Sequence, residues 1–412
     1  MRITLGLAVL VIGGAVGLAG GLAGTSKRSE APQQGSPDTA SGKAFVVHEW
    51  GTFTNFSAPD GTQLAFRSVI GEELPPFVRK PLWRMLTKGE LIAKQRMETP
   101  VTYFYTERPR TVEAHVDFPS GSLTEFYPPA ESAASNGFAD APNAADSALT
   151  WHFDIRPQSD SASSPGLPAV EGDERYGCAR QTDSAIVEVT DDGGEKHCEK
   201  FLFYRGAGDF SLPVRLEHLS GGRFRAVNDG PESIDGLFMV IIDDSGLHFR
   251  EYSKLPRHAA VEMQVPETTT TADQLGDRMA AVLTAAGLYE KEARAMIDTW
   301  RSSWFREPGA RLFYLVPRRL TDEVIPLTVD PAPDEIVRVL VGRMEILMTE
   351  VAHRLTDLAK ARDAGLLEDE ANVVNELHRL GRFANPAIDY LAAISDATDG
   401  EIIKQLRTLV RR

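Results

Sequence analysis

Cysteine is scarce in this chain: 412 residues contain two, Cys178 and Cys198. They stand too far apart to make the close C-x-x-C pair of a strong zinc signal. Basic residues are also in deficit, 44 against 59 acidic ones, so the formal net charge is −15. With no long basic run to offset it, this charge argues against nucleic acid and anionic membrane surfaces as partners. The chain has no G-x-S-x-G elbow, no H-E-x-x-H, no G-x-x-x-x-G-K, no EF-hand loop and no dinucleotide fingerprint. Those absences remove the commonest motif-bearing enzyme families and leave only enzymes whose site residues are scattered. No internal repeat stands out. What remains, 42% hydrophobic and 25% charged residues, suits a globular protein of two or three domains.

The uncharged run over residues 3–26 follows a positive start at Arg2, and its first half is apolar, which is the layout of an export signal. Gly21 and Ala23 supply the small residues needed for a cut after Ala23. The same run, at ~1.5 Å per helical residue, is long enough to cross a hydrocarbon core of about 30 Å. Residues 1–24 therefore read as a signal peptide or a single transmembrane anchor. The chain is accordingly expected to be exported, and to be periplasmic, membrane-anchored or extracellular. Residues 25–43, rich in Ser, Pro, Gln and Gly, form a disordered tether. In an exported chain two cysteines most simply make one disulfide, Cys178 to Cys198. Zinc binding through Cys198 and its neighbour His197 is the alternative.

Residues 44–268 carry short β-branched and aromatic runs between Gly, Pro, Asn and Asp, the pattern of a sandwich or barrel. A helix is predicted over 80–94, and long surface loops over 129–147 and 157–174. Residues 269–333 read as a helical hairpin, 272–286 and 290–305, followed by a strand pair, 311–316 and 324–329. Met296, Trp300 and Trp304, four apart, form a core stripe on the second helix. Residues 334–412 read as a helical C-terminal region: one helix from Glu335 onward, with an edge strand over Val337 to Val341 as the alternative for its first part, two short helices separated at Pro386, and a third after Gly400. The fold class is α+β, with a β-sandwich-like main domain, a helical hairpin and a helical C-terminal region.

Candidate chemistry lies where charges interrupt aromatic strands. In an extended His48-Glu49-Trp50 segment the imidazole and the carboxylate point to opposite faces, so each needs its own polar partner or pocket. Glu98-Thr99-Pro100 and Tyr204-Arg205-Gly206 are further charges abutting apolar strands. Arg205, suited to a bidentate carboxylate pair, is the expected partner of Glu98 or Glu49. His115-x-Asp117 and His152-x-Asp154 each place an imidazole and a carboxylate on one strand face. With His48 they are metal-site candidates, although alternate polar residues also mark the wet face of any sheet.

The blocks HEWGTFT (48–54), METPVTYFY (97–105), FPSGSLTEFYP (118–128), FYRGAGDF (203–210), WRSSWF (300–305) and VGRMEIL (341–347) resemble, in that order, an uncharacterised family of exported bacterial proteins. The resemblance implies export and this motif order, and no reaction, ligand or cofactor. His48, Glu49, Trp50, Glu98, Thr99, Glu125 and Arg205 match positions in the blocks, whereas His115 and His152 lie outside them. The resulting expectation is a cell-envelope binding or assembly module. It would use exposed aromatics such as Trp50, Phe53, Phe56 and Tyr127, with Thr52, Thr99 and Glu125, against a carbohydrate, peptide or envelope protein. The alternative is an extracytoplasmic hydrolase, with or without a metal, gathering His48, Glu49, Glu98 and Arg205 in one cleft.

Overall fold

The computed structural model describes residues 45–67, 74–81, 91–134, 147–158, 166–170, 174–219, 221–366 and 370–410. The export segment and tether lie outside these residues, as do most of the helix predicted over 80–94 and parts of both predicted loops. Among the described residues no helix is long and apolar enough to cross a membrane.

The fold is α+β and is organised around one strand. Strand β1 (Phe45–Ser57) pairs antiparallel with β2 (Gln95–Thr106), which is followed by β3 (Leu202–Gly208) and the strand Gly121–Tyr127. On its other side β1 runs parallel to β4 (Glu335–Ile346), and the sheet continues antiparallel through Gly309–Leu315, Ile234–Asp243, Gly246–Leu255 and Thr269–Thr270. Every position of β1 is buried, because both faces of this ten-stranded sheet are covered. A strand so placed reads as a continuous apolar and β-branched run instead of an alternating one.

Successive side chains of β1 serve different layers. Phe45, Val47 and Phe53 pack against a six-stranded antiparallel sheet and a three-stranded one, giving the sandwich-like core. In the six-stranded sheet, Val112, Ala114, Val116 and Phe118 of Arg110–Phe118 point inward, as do Leu149, Trp151, Phe153 and Ile155 of Ser147–Arg156. Trp50, on the opposite face of β1, packs under helices α1 (Ala272–Ala285) and α2 (Glu290–Phe305). Thr271 and Gln274 close a reciprocal capping box that fixes the start of α1. Met296, Trp300 and Trp304 are buried core, with the two indoles stacked 6.3 Å apart. Helices α3 (Thr349–Asp363), α4 (Ala371–Leu380), α5 (Ala384–Ile394) and α6 (Ala397–Lys404) gather a third core on Phe56, Phe66 and Leu347.

Several expectations need correction. The segment expected to be helical from Glu335 is β4, and the helical region begins at Thr349. Apolar residues on both faces of a doubly buried strand also fall at helical spacing, so period alone misassigned it. Strands Gly309–Leu315 and Leu327–Asp330 belong to different sheets and do not pair with each other, the helix Arg318–Val324 lying between them. Pro386 sits in the first turn of α5, where its missing N–H costs no helical bond, and so separates no helices. Helix α6 starts at Ala397, capped by Asp396, before Gly400. Cys178 and Cys198 are not bonded. Cys178 ends a short helix, while the Cys198 thiol lies 3.9 Å from the Glu188 carboxylate across its own ladder. Trp50, Phe53, Phe56 and Tyr127 are all buried, so these four form no exposed aromatic surface.

The charge on the sandwich side of β1 is neutralised internally. The Glu49 carboxylate accepts from Arg338 Nε at 2.7 Å, from Thr102 Oγ1 at 3.1 Å and from the Tyr204 hydroxyl. Arg338 also donates to Asp322 at 2.8 Å. Arg338, on the adjacent position of the parallel partner strand, is the partner that Arg205 was expected to be. Arg338→Ala should destabilise the protein by about 3 to 5 kcal/mol, because Glu49 stays buried without its cation. Urea denaturation measures this, and the double variant Glu49→Gln/Arg338→Met should recover part of the loss. A single variant as stable as wild type would show that the pair holds nothing together.

Candidate functional site

The face of β1 that carries Trp50 also carries His48 toward one end and Thr54 toward the other, and the three side chains meet different surroundings. His48 Nδ1 lies 2.8 Å from Glu292 Oε2, and both of these side chains are buried. Tyr105 donates its hydroxyl to the same carboxylate at 2.8 Å, and the Tyr289 N–H donates to it at 2.7 Å. The Tyr289 ring packs 4.4 Å from the imidazole. This arrangement pins the start of α2 to the sheet. His48 is thus bonded to a helix carboxylate, the polar partner that its place in an apolar strand required.

Thr54 leads to the candidate site. Its hydroxyl donates to Glu98 Oε2 at 2.7 Å, while Glu98 Oε1 lies 3.2 Å from Arg96 Nε and 3.1 Å from Arg382 Nη1. One step along the sheet, Glu345 Oε1 lies 3.0 Å from Arg311 Nε and 2.6 Å from Arg343 Nη2. Arg311 is held further by the Glu307 and Trp304 carbonyls, at 2.9 and 3.2 Å. These side chains line an open cleft of about 670 Å³. The strands form its floor, Trp300, Ser303 and Glu307 one wall, and Arg379 to Phe383, at the end of α4, the other. The volume lies within the range of ordinary ligand sites.

The electrostatics are one-sided. Four arginines, Arg96, Arg311, Arg343 and Arg382, share two buried carboxylates, Glu98 and Glu345, in a protein whose net charge is −15. Arg175 and Arg379 add cationic heads to the lining, and Glu307 adds one carboxylate. Burial, reinforced by Arg96 and Arg343, pushes the Arg382 guanidinium below its ordinary value even though Glu98 opposes the shift. It lies over Phe66 and Phe383, 5.2 and 5.0 Å from their ring centres. Burial by itself would raise the Glu98 carboxyl. Arg382, Arg96 and Arg343, with the Thr54 hydrogen bond, overcome that and hold it well below the usual carboxylate range. Glu345 is lowered in the same way by Arg311 and Arg343. Both carboxylates are therefore ionised ion-pair partners, unsuited to act as general acids near neutral pH.

The four residues expected in one catalytic cleft are divided. Glu98 lines the open cleft, Arg205 a narrow chamber next to it, His48 lies under α2, and Glu49 faces the sandwich core. Trp50 and Thr99 line the same chamber as Arg205. Thr52 is buried, and Glu125 is buried beside the Thr124 hydroxyl. The three histidines considered for a metal do not meet. His115 and His152 lie on the outer face of the second sheet, where His115 contacts Thr150 and Asp117, and His152 contacts Glu113 and Glu131. The zinc alternative fails on strand geometry, since consecutive residues His197 and Cys198 face opposite ways. His197 lies instead 3.2 Å from Asp191. Asp191, Glu195 and His197 come within 4.8 Å of one another, but Arg79 already occupies the Asp191 carboxylate.

Sequence reasoning missed Arg96, Arg311, Arg343 and Arg382. Two local signals were available: Arg96-x-Glu98 and Arg343-x-Glu345 each set opposite charges on one face of an apolar strand. The second was hidden by reading β4 as a helix. Arg382 carries no local signal.

Glu98 has a pH signature. Its folded pKa is depressed, so its stabilising contribution is complete above the unfolded-chain value near 4.3 and is lost as the pH falls below that toward the folded value. Glu98→Gln should therefore be less stable than wild type at pH 7, and the gap should close as the pH drops below about 4. Denaturation midpoints across that range measure the effect; a gap that stays constant with pH would refute it.

No family model and no curated protein matches the chain. Among solved structures it is similar to the yeast delta-COP-I mu-homology domain complexed with a Dsl1 WxWxV peptide, with 8% identity and a TM-score of 0.24, over 74% of this chain and 96% of that one. It is also similar to the yeast delta-COP-I mu-homology domain, with 8% identity and a TM-score of 0.25, over 75% and 98%. At such TM-scores the likeness carries no argument about fold, ligand or partner.

Proposed function

We propose that this protein is an exported β-rich binding module whose ligand bears carboxylates and docks in the arginine-lined cleft. One observation carries the reading: Arg96, Arg311, Arg343 and Arg382 are held around Glu98 and Glu345, with Glu307 3.7 Å from Arg343, so among the described residues the cationic heads of the cleft outnumber its carboxylates in low-dielectric surroundings. An incoming anion relieves that imbalance. Planar guanidinium groups also match carboxylates in geometry, as their pairing with Glu98 and Glu345 illustrates. Glu98 and Glu345 then act as spacers that hold the arginines in position and are not the chemistry itself. The charge in the cleft is local, against an overall negative surface, which favours an anionic group of matching shape over a polyanion such as nucleic acid.

Isothermal titration with a hexaglutamate peptide, an oligogalacturonate and inorganic phosphate distinguishes acidic peptide, acidic glycan and simple anion. Binding of either carboxylate probe, weakened by salt, is the expected result. Arg379 is a half-exposed cation of the rim, and its ion pair with Asp244 is equally exposed, so its loss leaves the fold intact. Arg379→Glu should weaken binding on the order of tenfold, about 1.4 kcal/mol, with an unchanged melting temperature. Absence of binding by all three probes, or binding indifferent to Arg379→Glu, would overturn the reading. The export component rests on the charged start and uncharged run at the N-terminus. Residues 1–43 fused to a reporter active only outside the cytoplasm should give signal, and a silent cytoplasmic fusion would remove it.

A further inference from the structure

The chamber lined by Arg205 is built where two strands bulge side by side. Opposite Gly51 of β1, strand β2 inserts both Thr99 and Pro100, and Thr99 takes a φ of 44°, a region that a β-branched residue seldom enters. Gly51 is required there, because a Cβ at this position would stand 3.0 Å from Pro100 Cα. The neighbouring strand β3 shifts register between Phe203 and Gly206 against β2, and between Arg205 and Gly206 against Gly121–Tyr127. The two irregularities bring Thr99 and Arg205 into one wall, with Trp50 and Trp300 beside them. Bulges and a strained threonine coinciding in this way mark a shaped site, since a plain ladder would avoid both.

Arg205 is 6% exposed, and although buried Glu125 stands opposite it on the neighbouring strand, no carboxylate among the described residues lies within ion-pair distance of it; its guanidinium rests 5.7 Å from the Phe203 ring centre. Its Nε has no hydrogen-bond partner, nor do Thr99 Oγ1, Trp300 Nε1 and Trp50 Nε1; the Trp50 indole lies beside the Tyr103 hydroxyl without completing a bond of proper geometry. Every one of these orphaned atoms can donate, and only the threonine hydroxyl can also accept. A water placed among them would find little to receive its own hydrogens, whereas an anion needs only donors and offsets the charge of the buried guanidinium. The chamber measures about 10 Å³, the size of one water-sized group and too small for a carboxylate or a phosphate. We propose that this chamber is a site for a single monatomic anion, a halide such as chloride, held by Arg205, Thr99, Trp50 and Trp300. It is distinct from the cleft and does not depend on the cleft's ligand, although Arg175 and Trp300 line both.

The test uses the full chain transferred from sodium gluconate into sodium chloride at constant sodium concentration, with the melting temperature as readout. Binding to the folded state alone should raise it along a saturable curve. Bromide should act like chloride, and acetate and phosphate should not. Arg205→Met should raise the half-saturating chloride concentration by roughly tenfold or more. The cleft variant Arg379→Glu should keep the halide response, so that failure of the cleft reading and failure of this one are told apart. A response equal in gluconate and chloride, one retained by Arg205→Met, or acetate as effective as chloride would overturn the proposal. If Arg205→Met does not fold, wild-type crystals grown in bromide decide. An anomalous peak in contact with Arg205 supports the site, and the absence of a peak there overturns it.

Discussion

Burial of β1 on both faces is the constraint from which the rest of the architecture follows. A strand inside a covered sheet cannot turn a charge toward water, and β1 carries His48 and Glu49 on opposite faces. Each must be met from inside. Glu292 of α2 meets the imidazole, and Arg338 of the parallel neighbour β4 meets the carboxylate. The two partners lie more than two hundred residues further along the chain, so the polar content of a single strand fixes where the helical hairpin docks and which strand lies beside it.

The cleft uses the same logic with the balance left incomplete. Glu98 and Glu345 each hold two arginines, and the arrangement would be a closed structural network if anions and cations matched in number. They do not match, and the surplus lies where the floor of the sheet, the end of α2 and the end of α4 leave an opening. Three parts of the chain thus contribute one wall each. A buried charge network stabilises little in itself, but removing any one member is costly, which keeps the arginines in fixed positions.

The chamber next to the cleft shows how a local irregularity reshapes a regular sheet. One additional residue in β2 at Thr99-Pro100 reverses the facing of the residues beyond it, so that Glu98 and Val101 point to the same side. In an unbroken strand Glu98, five positions before Tyr103, would face the opposite side. The strain at Thr99 belongs to this insertion, and a second register shift beside it, in β3, brings Arg205 into the same wall.

Local sequence determined which segments form strands and helices wherever one face is wet. The alternation in Arg110–Phe118 and Ser147–Arg156, and the capped, periodic run of α1, are readable because water on one side imposes a period. It also determined that the charges at Glu49, Glu98 and Arg205 needed an explanation, since their neighbours are aromatic and β-branched. The tertiary structure alone decided which partner each would receive. Arg338 and Arg382 lie 289 and 284 positions from the carboxylates they bind, and no periodicity links residues so far apart. The structure alone also decided that β4 is a strand, because a segment buried on both faces loses the alternation that identifies one. And it left the two cysteines apart, because they stand on elements whose orientation the spacing of 20 residues does not constrain.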